Sequence, residues 1–509
     1  MTANLSRILR WNRHRHEDDA ALIFEDRSWT YGALDDQVDA VAAGLGDLGI
    51  GRGDVIAILG MNTPEYLITT LAAARLGAVF LPLNYRLHVE ELAFVLGHSG
   101  ATTLVTELEY HDTVAEVLTR LDAPPSRVLT FHDTAPTGWL PWGEVAAAGA
   151  GRHVPDADVS DGDLQRILYT SGTTSLPKGA MITHGNCNAN MDLQVVELGL
   201  RHGQAVLVFG PLYHVGGLDI PGFATWYAGA TMVLMRRFDA ASILELIDRH
   251  RIVGMAMVAT MVHMIRELPE RLDFDTSSVR WLIFSQVAER LFRDTNEVFP
   301  EARLIEGYGL TETCNGVSYL DAKNMYAKLG SVGRPAHRVD IRVVGDDDQP
   351  VPTGELGEIV VRGPKVSPGY WRDPERTAET HRNGWFHTGD VGRFDDDGYL
   401  YVIDRKKDMI RSGGENLASS EVERVLYAHP AVSAAAVVAM PDERWGEVPR
   451  AFVVLSPGHA ATEAELRAFC SEHLGKFKVP KQVVFIDELP RNPSGKVLKR
   501  ELREYDKAE

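Results

Sequence analysis

Short aliphatic and β-branched runs alternate along this chain with longer stretches that read as amphipathic. Residues 55–59, VIAIL, are apolar throughout and read as a buried strand. Residues 63–76 read as a helix and 78–83 as the next strand, a βαβ rhythm that predicts a mostly parallel sheet covered by helices. The same rhythm recurs as strand 281–285, helix 288–299 and strand 303–306. From about Ile341 the pattern changes. The stretch IRVVGDDDQPVPTGELGEIVVRG has Gly-Asp and Thr-Gly turn chemistry between alternating runs, which predicts hairpins. Beyond Asp404 roughly 100 residues follow, enough for a small α+β domain. No internal repeat is visible, and residues 133–163, rich in Ala, Gly and Asp, read as a surface connection.

Composition narrows the class. A chain of 509 residues exceeds one small core, so two or more domains are expected. The formal net charge of -19, with no basic domain to offset phosphate repulsion, argues against a nucleic-acid partner. Three cysteines, Cys187, Cys314 and Cys470, stand far apart with no metal-like spacing, which makes the reducing cytoplasm the simplest compartment. The N-terminus carries basic residues with no apolar segment behind them, so no export signal is expected. The most apolar runs, 254–261 and 431–440, are far shorter than the roughly 20 residues of a membrane helix and read as core. His14, His16 and Glu17 have the residue types of a metal site, but a solvated terminus is the favoured reading.

Residues 169–180, YTSGTTSLPKGA, place five aliphatic hydroxyls, two glycines and one lysine on one loop. Exposed N–H groups, hydroxyls and an ammonium make an anion cradle. The pattern is not the familiar GxxxxGK[ST] phosphate loop, because Lys178 follows Pro177 and is itself followed by Gly179. Five further loops accompany it: PLYHVGGL at 211–218, EGYGLTET at 306–313, GWFHTGD at 384–390, YVIDRKKDMIRSGGEN at 401–416 and NPSGK at 492–496. Each alone is an ordinary turn. In this order and spacing they resemble the adenylate-forming superfamily of acyl-CoA synthetases, peptide-synthetase adenylation domains and firefly luciferase. The likeness is greatest to bacterial fatty-acid or aryl-acid CoA ligases, and the opening loop resembles the signature TSGTTGxPKG.

The resemblance implies an α/β fold. A large N-terminal domain, 1–405, would hold parallel and mixed sheets flanked by helices and a small β-barrel-like portion. A small mobile α+β domain, 406–509, would follow a hinge near Lys407. It implies ATP, Mg²⁺ and coenzyme A alongside a small-molecule carboxylic acid. The acid attacks the α-phosphate to give an acyl-adenylate and pyrophosphate, and the CoA thiol then displaces AMP. Such catalysis is placement and charge stabilisation rather than covalent work by side chains.

Carried over position by position, Thr170, Ser171, Gly172, Thr173, Thr174 and Lys178 would cradle the β- and γ-phosphates. Glu312, beside Thr311, would hold magnesium as a hard carboxylate ligand. Tyr308, flanked by Gly307 and Gly309, would stack on adenine, while Asp390 and Arg405 would hold the ribose. Lys496 would be the catalytic lysine at the α-phosphate. Arg411, Ser412, Gly413 and Gly414 would face the pantetheine arm of CoA. His214 would gate the acyl pocket, with Gln286, Val287 and Leu310 among its walls.

Two positions depart from the family pattern. Ser175 stands where relatives have Gly. Residues 285–289, Ser-Gln-Val-Ala-Glu, stand where relatives read Ser-Gly-Gly-Ala-Pro, adding bulk where the acyl pocket begins. An acid–CoA ligase for a hydrophobic fatty or aromatic acid is the expectation, because no motif places a cation for a second carboxylate. The alternatives are an adenylating enzyme that loads a carrier-protein arm or performs a luciferase-like oxidation, and a non-catalytic acyl or nucleotide sensor. No carrier domain follows Glu509, which favours CoA, and a homodimer is a further expectation.

Overall fold

A computed structural model describes residues 3–170, 177–285, 289–412, 415–491 and 497–505. The fold is mixed α/β, with a large N-terminal domain of parallel and mixed sheets flanked by helices and a smaller C-terminal domain. Two compact units divide the chain: Met1–Ile341 with Val361–Phe386, and Arg342–Val360 with His387–Glu509.

The first unit contains a seven-stranded and a nine-stranded sheet. In the former, Val55–Leu59 pairs in parallel with Val79–Leu83, as the apolar runs predict. The helix between them, Pro64–Leu76, starts where Thr63 accepts from the Tyr66 N–H and stops at Gly77, whose φ of 70° suits a left-handed cap. This sheet ends in an antiparallel pair, Leu164–Thr170 with Lys178–Thr183. In the nine-stranded sheet, Trp281–Phe284 pairs in parallel with Arg303–Leu310, and the latter pairs antiparallel with Asn315–Leu320.

Three details differ from the pattern-based reading. The strand beginning at Arg303 does not stop at Glu306 but runs through the Gly-Tyr-Gly segment to Leu310. These glycines serve close packing: a Cβ on Gly309 would lie 2.3 Å from the Asn315 carbonyl oxygen. Residues 133–163 are not merely a surface connection, because helix Trp142–Ala148 buries Trp142 and Val145. Trp142 donates to Thr69 Oγ1 at 2.8 Å, and a Cβ on Gly44 would fall 2.0 Å from the Val145 carbonyl oxygen. Small residues there permit helix contact rather than a loop. The run 254–261 divides between strand Ile252–Ala256 and helix Ala259–Arg266, with Val258 exposed between them.

In the second unit, Val351 N–H bonds the Val343 carbonyl at 3.0 Å, closing the hairpin expected after Ile341. Its five-stranded C-terminal sheet is built on the antiparallel pair Val432–Asp442 and Gly446–Leu455. Val432, Ala435 and Val437 pack with Val422, Leu426, Leu466 and Cys470, whereas Ala436 and Val438 pack with Phe452 and Leu502 on the other face. Among the described residues no helix is long and apolar enough to cross a membrane.

His184 opens helix His184–Leu198 and is completely buried, its Nδ1 accepting from the Leu5 N–H at 3.1 Å. Burial pushes its pKa down to about 4, against a smaller opposing pull from Asp163. The unfolded chain, with an ordinary imidazole near 6.5, therefore binds the proton first as pH falls, and stability is lost between pH 6.5 and 4. Acidification across that window is expected to cost about 3 kcal/mol through this residue. Urea unfolding at stepped pH should show that slope, and His184→Gln should flatten it. An unchanged slope in the variant would contradict the assignment.

Candidate active site

The antiparallel hairpin that carries the hydroxyl-rich loop sets Thr170 opposite Lys178. Thr170 Oγ1 is buried and makes no hydrogen bond among the described residues. Ser171, Gly172, Thr173, Thr174 and Ser175, together with Leu176, lie outside the described residues. Lys178 Nζ lies 2.6 Å from Glu312 Oε1 and 2.8 Å from the Tyr370 hydroxyl, and 4.5 Å from the centre of the Tyr370 ring. The Tyr370 hydroxyl in turn lies 2.7 Å from the same Glu312 oxygen. Tyr370 thus accepts from the ammonium and donates to the carboxylate, closing a triangle.

Backbone contacts hold this triangle. Met181 N–H bonds the Gly369 carbonyl at 3.0 Å, and Trp371 N–H bonds the Gly179 carbonyl at 2.8 Å, so the segment with Tyr370 runs beside the strand with Lys178. Ser367 N–H bonds the Glu312 carbonyl at 2.7 Å. Gly369 has a φ of 143°, and a Cβ there would lie 2.3 Å from Thr377 Cγ2. Glu312 is 4% exposed. Burial alone would raise its pKa, but the Lys178 ammonium and the hydrogen bonds from Lys178 and Tyr370 hold it below the usual carboxylate range. It is an ionised, cation-facing carboxylate in a buried place, which fits a magnesium ligand.

Glu312 sits in the turn Thr311–Thr313 between strands Arg303–Leu310 and Asn315–Leu320. Cys314 and Asn315 take positive φ values of 47° and 78°, which let the chain reverse within a few residues. Gly307, Tyr308 and Gly309 lie on the incoming strand with Tyr308 opposite Ser318, and Leu310 opposite Asn315 closes the pair. His214 is the N-cap of the short helix Val215–Leu218, its Nδ1 accepting from the Gly216 N–H at 3.1 Å. That bond leaves the neutral-ring proton on Nε2. The residue retains solvent access, yet the protein packed around the ring pushes its pKa below the ordinary value, with Asp219 opposing.

Behind these loops lies a buried polar centre that sequence reading missed. Arg166 Nη2 donates to both Asp219 oxygens, at 2.5 and 2.6 Å, and Nη1 lies 3.0 Å from Cys187 Sγ. Arg166 therefore ties the hydroxyl-rich loop's strand to the end of the helix after His214. The only available signal was one arginine in an apolar strand. Tyr370 was missed as well, because an aromatic residue in a Gly-Tyr-Trp string reads as ordinary core.

In the second unit, Asp390 and Arg405 are cross-strand partners, with Arg405 Nε 2.7 Å from Asp390 Oδ1. Asp390 is 5% exposed. Lys407 is exposed, and its carbonyl accepts from Arg503 at 3.1 Å. Arg411 is exposed on strand Ile410–Ser412, while Ser412 is buried. Gly413, Gly414 and Lys496 lie outside the described residues, as do Gln286 and Val287 in the first unit. On either side of Lys496's segment, Arg491 and Val497 form an antiparallel bridge.

Comparison with known proteins identifies the family. The AMP-binding enzyme family model matches residues 9–371, and the AMP-binding enzyme C-terminal domain model matches 421–496. A feruloyl-CoA synthase from an Amycolatopsis species is 41% identical over 475 residues, 93% of each chain. An indoleacetate–CoA ligase from Aromatoleum aromaticum is 38% identical, covering 95% of this chain and 94% of that one. The long-chain-fatty-acid–CoA ligase FadD13 of Mycobacterium tuberculosis is 34% identical, covering 94% and 93%. O-succinylbenzoate coenzyme A synthetase from Bacillus subtilis, solved with ATP and magnesium ion, superposes with a TM-score of 0.86 at 30% identity, covering 97% of this chain and 99% of that one. The chain belongs to the AMP-binding enzyme family, within the adenylate-forming superfamily: it is an ATP-dependent, AMP-forming acyl-CoA synthetase.

Proposed function

We propose that the acid activated is a hydrophobic monocarboxylate, an aromatic one ahead of a fatty one. The single observation that carries the site is the Lys178–Glu312–Tyr370 triangle, which joins a half-buried cation to a buried, ionised carboxylate beside the hydroxyl-rich loop. Lys178 and the hydroxyls from Thr170 to Thr174 hold the β- and γ-phosphates. Glu312 holds magnesium, which supplies charge neutralisation at those phosphates when bound. Tyr370 keeps the Glu312 carboxylate aimed while Lys178 turns to the phosphates.

Tyr308 stacks on adenine and Asp390, braced by Arg405, takes the ribose hydroxyls. The acid's carboxylate oxygen attacks the α-phosphorus, the bond to the bridging oxygen breaks, and pyrophosphate leaves. The small domain, 406–509, then turns about Lys407, bringing Arg411 and Ser412–Gly414 to the CoA arm. The thiolate adds to the acyl carbon and AMP departs. Such hinges absorb rotation at a few residues remote from the bond being made.

The preference for an aromatic acid is supported by the two relatives named for aromatic acids, which are also more similar than the fatty-acid ligase. No sequence motif offers a cation for a second carboxylate. The three free, buried cysteines are compatible with a reducing cytoplasm, and a homodimer is the assembly proposed, which light scattering checks. The test of function is a pyrophosphate-release panel across ring type and chain length, with AMP release measured with and without CoA. Aromatic monocarboxylates should lead the panel, with CoA required for turnover. AMP release indifferent to CoA, or a dicarboxylate leading the panel, would overturn the reading.

Gln286 and Val287 lie outside the described residues; on this reading they add bulk where the acyl pocket begins. Replacing both with glycine is expected to shift kcat/KM toward longer or bulkier acids, each additional CH₂ being worth about 0.8 kcal/mol at most. The KM for ATP should move much less. An unchanged acid profile with a large change in KM for ATP would place this turn against adenine alone.

A further inference from the structure

We propose that His16, Asp19 and His202 form a binding site for a divalent transition metal of the zinc class. His202 Nε2 lies in hydrogen-bond contact with Asp19 Oδ2 at 2.8 Å, His16 Nδ1 lies 3.5 Å from the same oxygen, and the three ligand atoms lie within 4.8 Å of one another. The two imidazoles lie face to face, ring centres 3.7 Å apart and planes 19° from parallel. The site shares no residue with the proposed active site. Sequence alone drew attention to His14, His16 and Glu17; the fold retains His16 and replaces its companions with Asp19 and a histidine 186 positions away.

The backbone prepares this meeting from three directions. His16 is the last residue of helix Arg7–His16, and Asp19 N–H bonds the His16 carbonyl at 3.1 Å, fixing the spacing of the first two ligands. The Asp19 carbonyl accepts from Tyr31 N–H at 3.0 Å, which anchors that turn to the helix starting at Tyr31. Gly203 N–H bonds the Gly229 carbonyl at 3.3 Å beside His202. A Cβ on Gly229 would lie 3.3 Å from His202 Cδ2, so the glycine leaves the ring its space. For both nitrogens to meet one metal, the stacked imidazoles must rotate about their side-chain bonds.

Two imidazole nitrogens with one carboxylate oxygen select zinc, nickel, cobalt or copper over magnesium or calcium, which take all-oxygen sites. Three protein ligands leave a fourth position to water. A bound ion would pin the N-terminal helix to the loop that precedes strand Ala205–Val208. A ligand that binds only the folded chain raises its stability, so zinc should raise the melting temperature.

The test is calorimetric titration of the full chain with zinc chloride, without ATP or magnesium, beside thermal melts. We expect one equivalent bound, and His202→Ala and Asp19→Asn each to weaken zinc by at least tenfold and to abolish the zinc-induced rise in melting temperature. His14→Ala, next to but outside the cluster, should change neither. His202→Ala should keep its CoA-ligase activity and its zinc-free melting temperature, which separates lost ligation from misfolding. Equal zinc affinity in wild type, His202→Ala and Asp19→Asn would overturn the proposal, as would the absence of any zinc binding by the wild type.

Discussion

Lys496→Ala is expected to depress acyl-adenylate formation by at least about 100-fold, the scale of losing one preorganised charge at a developing negative centre. Thioester formation from supplied acyl-adenylate should stay near the wild-type rate. The asymmetry follows from where charge appears. During adenylation, the attacking carboxylate gives up its charge while negative charge builds on the α-phosphate oxygens and the departing pyrophosphate, and an ammonium placed there is worth more in the transition state than in the ground state. On the proposed function, the small domain would turn about Lys407 for thiol transfer and take Lys496 away from the reacting atoms. Arg491 and Val497, on either side of the lysine's segment, form an antiparallel bridge. Pyrophosphate release and thioester formation, measured separately, decide the matter. Equal loss in both half-reactions would remove Lys496 from the adenylating role.

How far these roles could be read from sequence depends on the range of the interactions. Strand 55–59, helix 63–76 and the following strand are legible because each is a nearly unbroken apolar run of strand or helix length, and Thr63 and Gly77 punctuate the helix. Lys178 and Glu312 were legible only through the family resemblance, because 134 positions separate them and no periodicity links them. Tyr370 escaped both routes: its link to Glu312 spans 58 positions, and its local string suggests only core. In the Gly-Tyr-Gly segment glycine suggests turn chemistry, but the segment is strand. Here a Cβ on Gly307 would lie 2.9 Å from the Tyr319 ring, and Gly309 meets the facing strand's backbone. Helix Trp142–Ala148 was hidden for the same reason, its Ala and Gly neighbours being contact surfaces rather than slack chain. A small residue can mark close approach as well as a turn, and the fold distinguishes the two.

The triangle around Glu312 supports the second large effect. Glu312→Gln keeps the side chain's size and removes its charge, and should cut adenylation by about 100-fold or more through loss of a charged ligand and its aimed electrostatics. Tyr370→Phe keeps the ring beneath Lys178 and removes only a hydroxyl bonded to charged groups. Such bonds are worth about 1.5–3 kcal/mol, so a loss of roughly 10- to 100-fold is expected. If Tyr370 is a positioning residue that acts through the carboxylate, the double variant should be little worse than Glu312→Gln alone, the non-additivity expected of neighbours in one network. Binding supplies a readout independent of turnover. In Glu312→Gln, Lys178 is released from its carboxylate, so ATP without magnesium should bind as well as, or better than, it does to wild type. The gain in ATP affinity on adding magnesium should shrink in both single variants. Lys178 retains water contact, its side chain being 24% exposed, so these changes should come without a large fall in melting temperature. Calorimetric ATP titrations with and without magnesium, on the four proteins of the cycle, make the comparison. Losses that simply add, or that fall equally on metal-free and magnesium-bound ATP, would reduce Tyr370 to packing and take Glu312 out of the metal site.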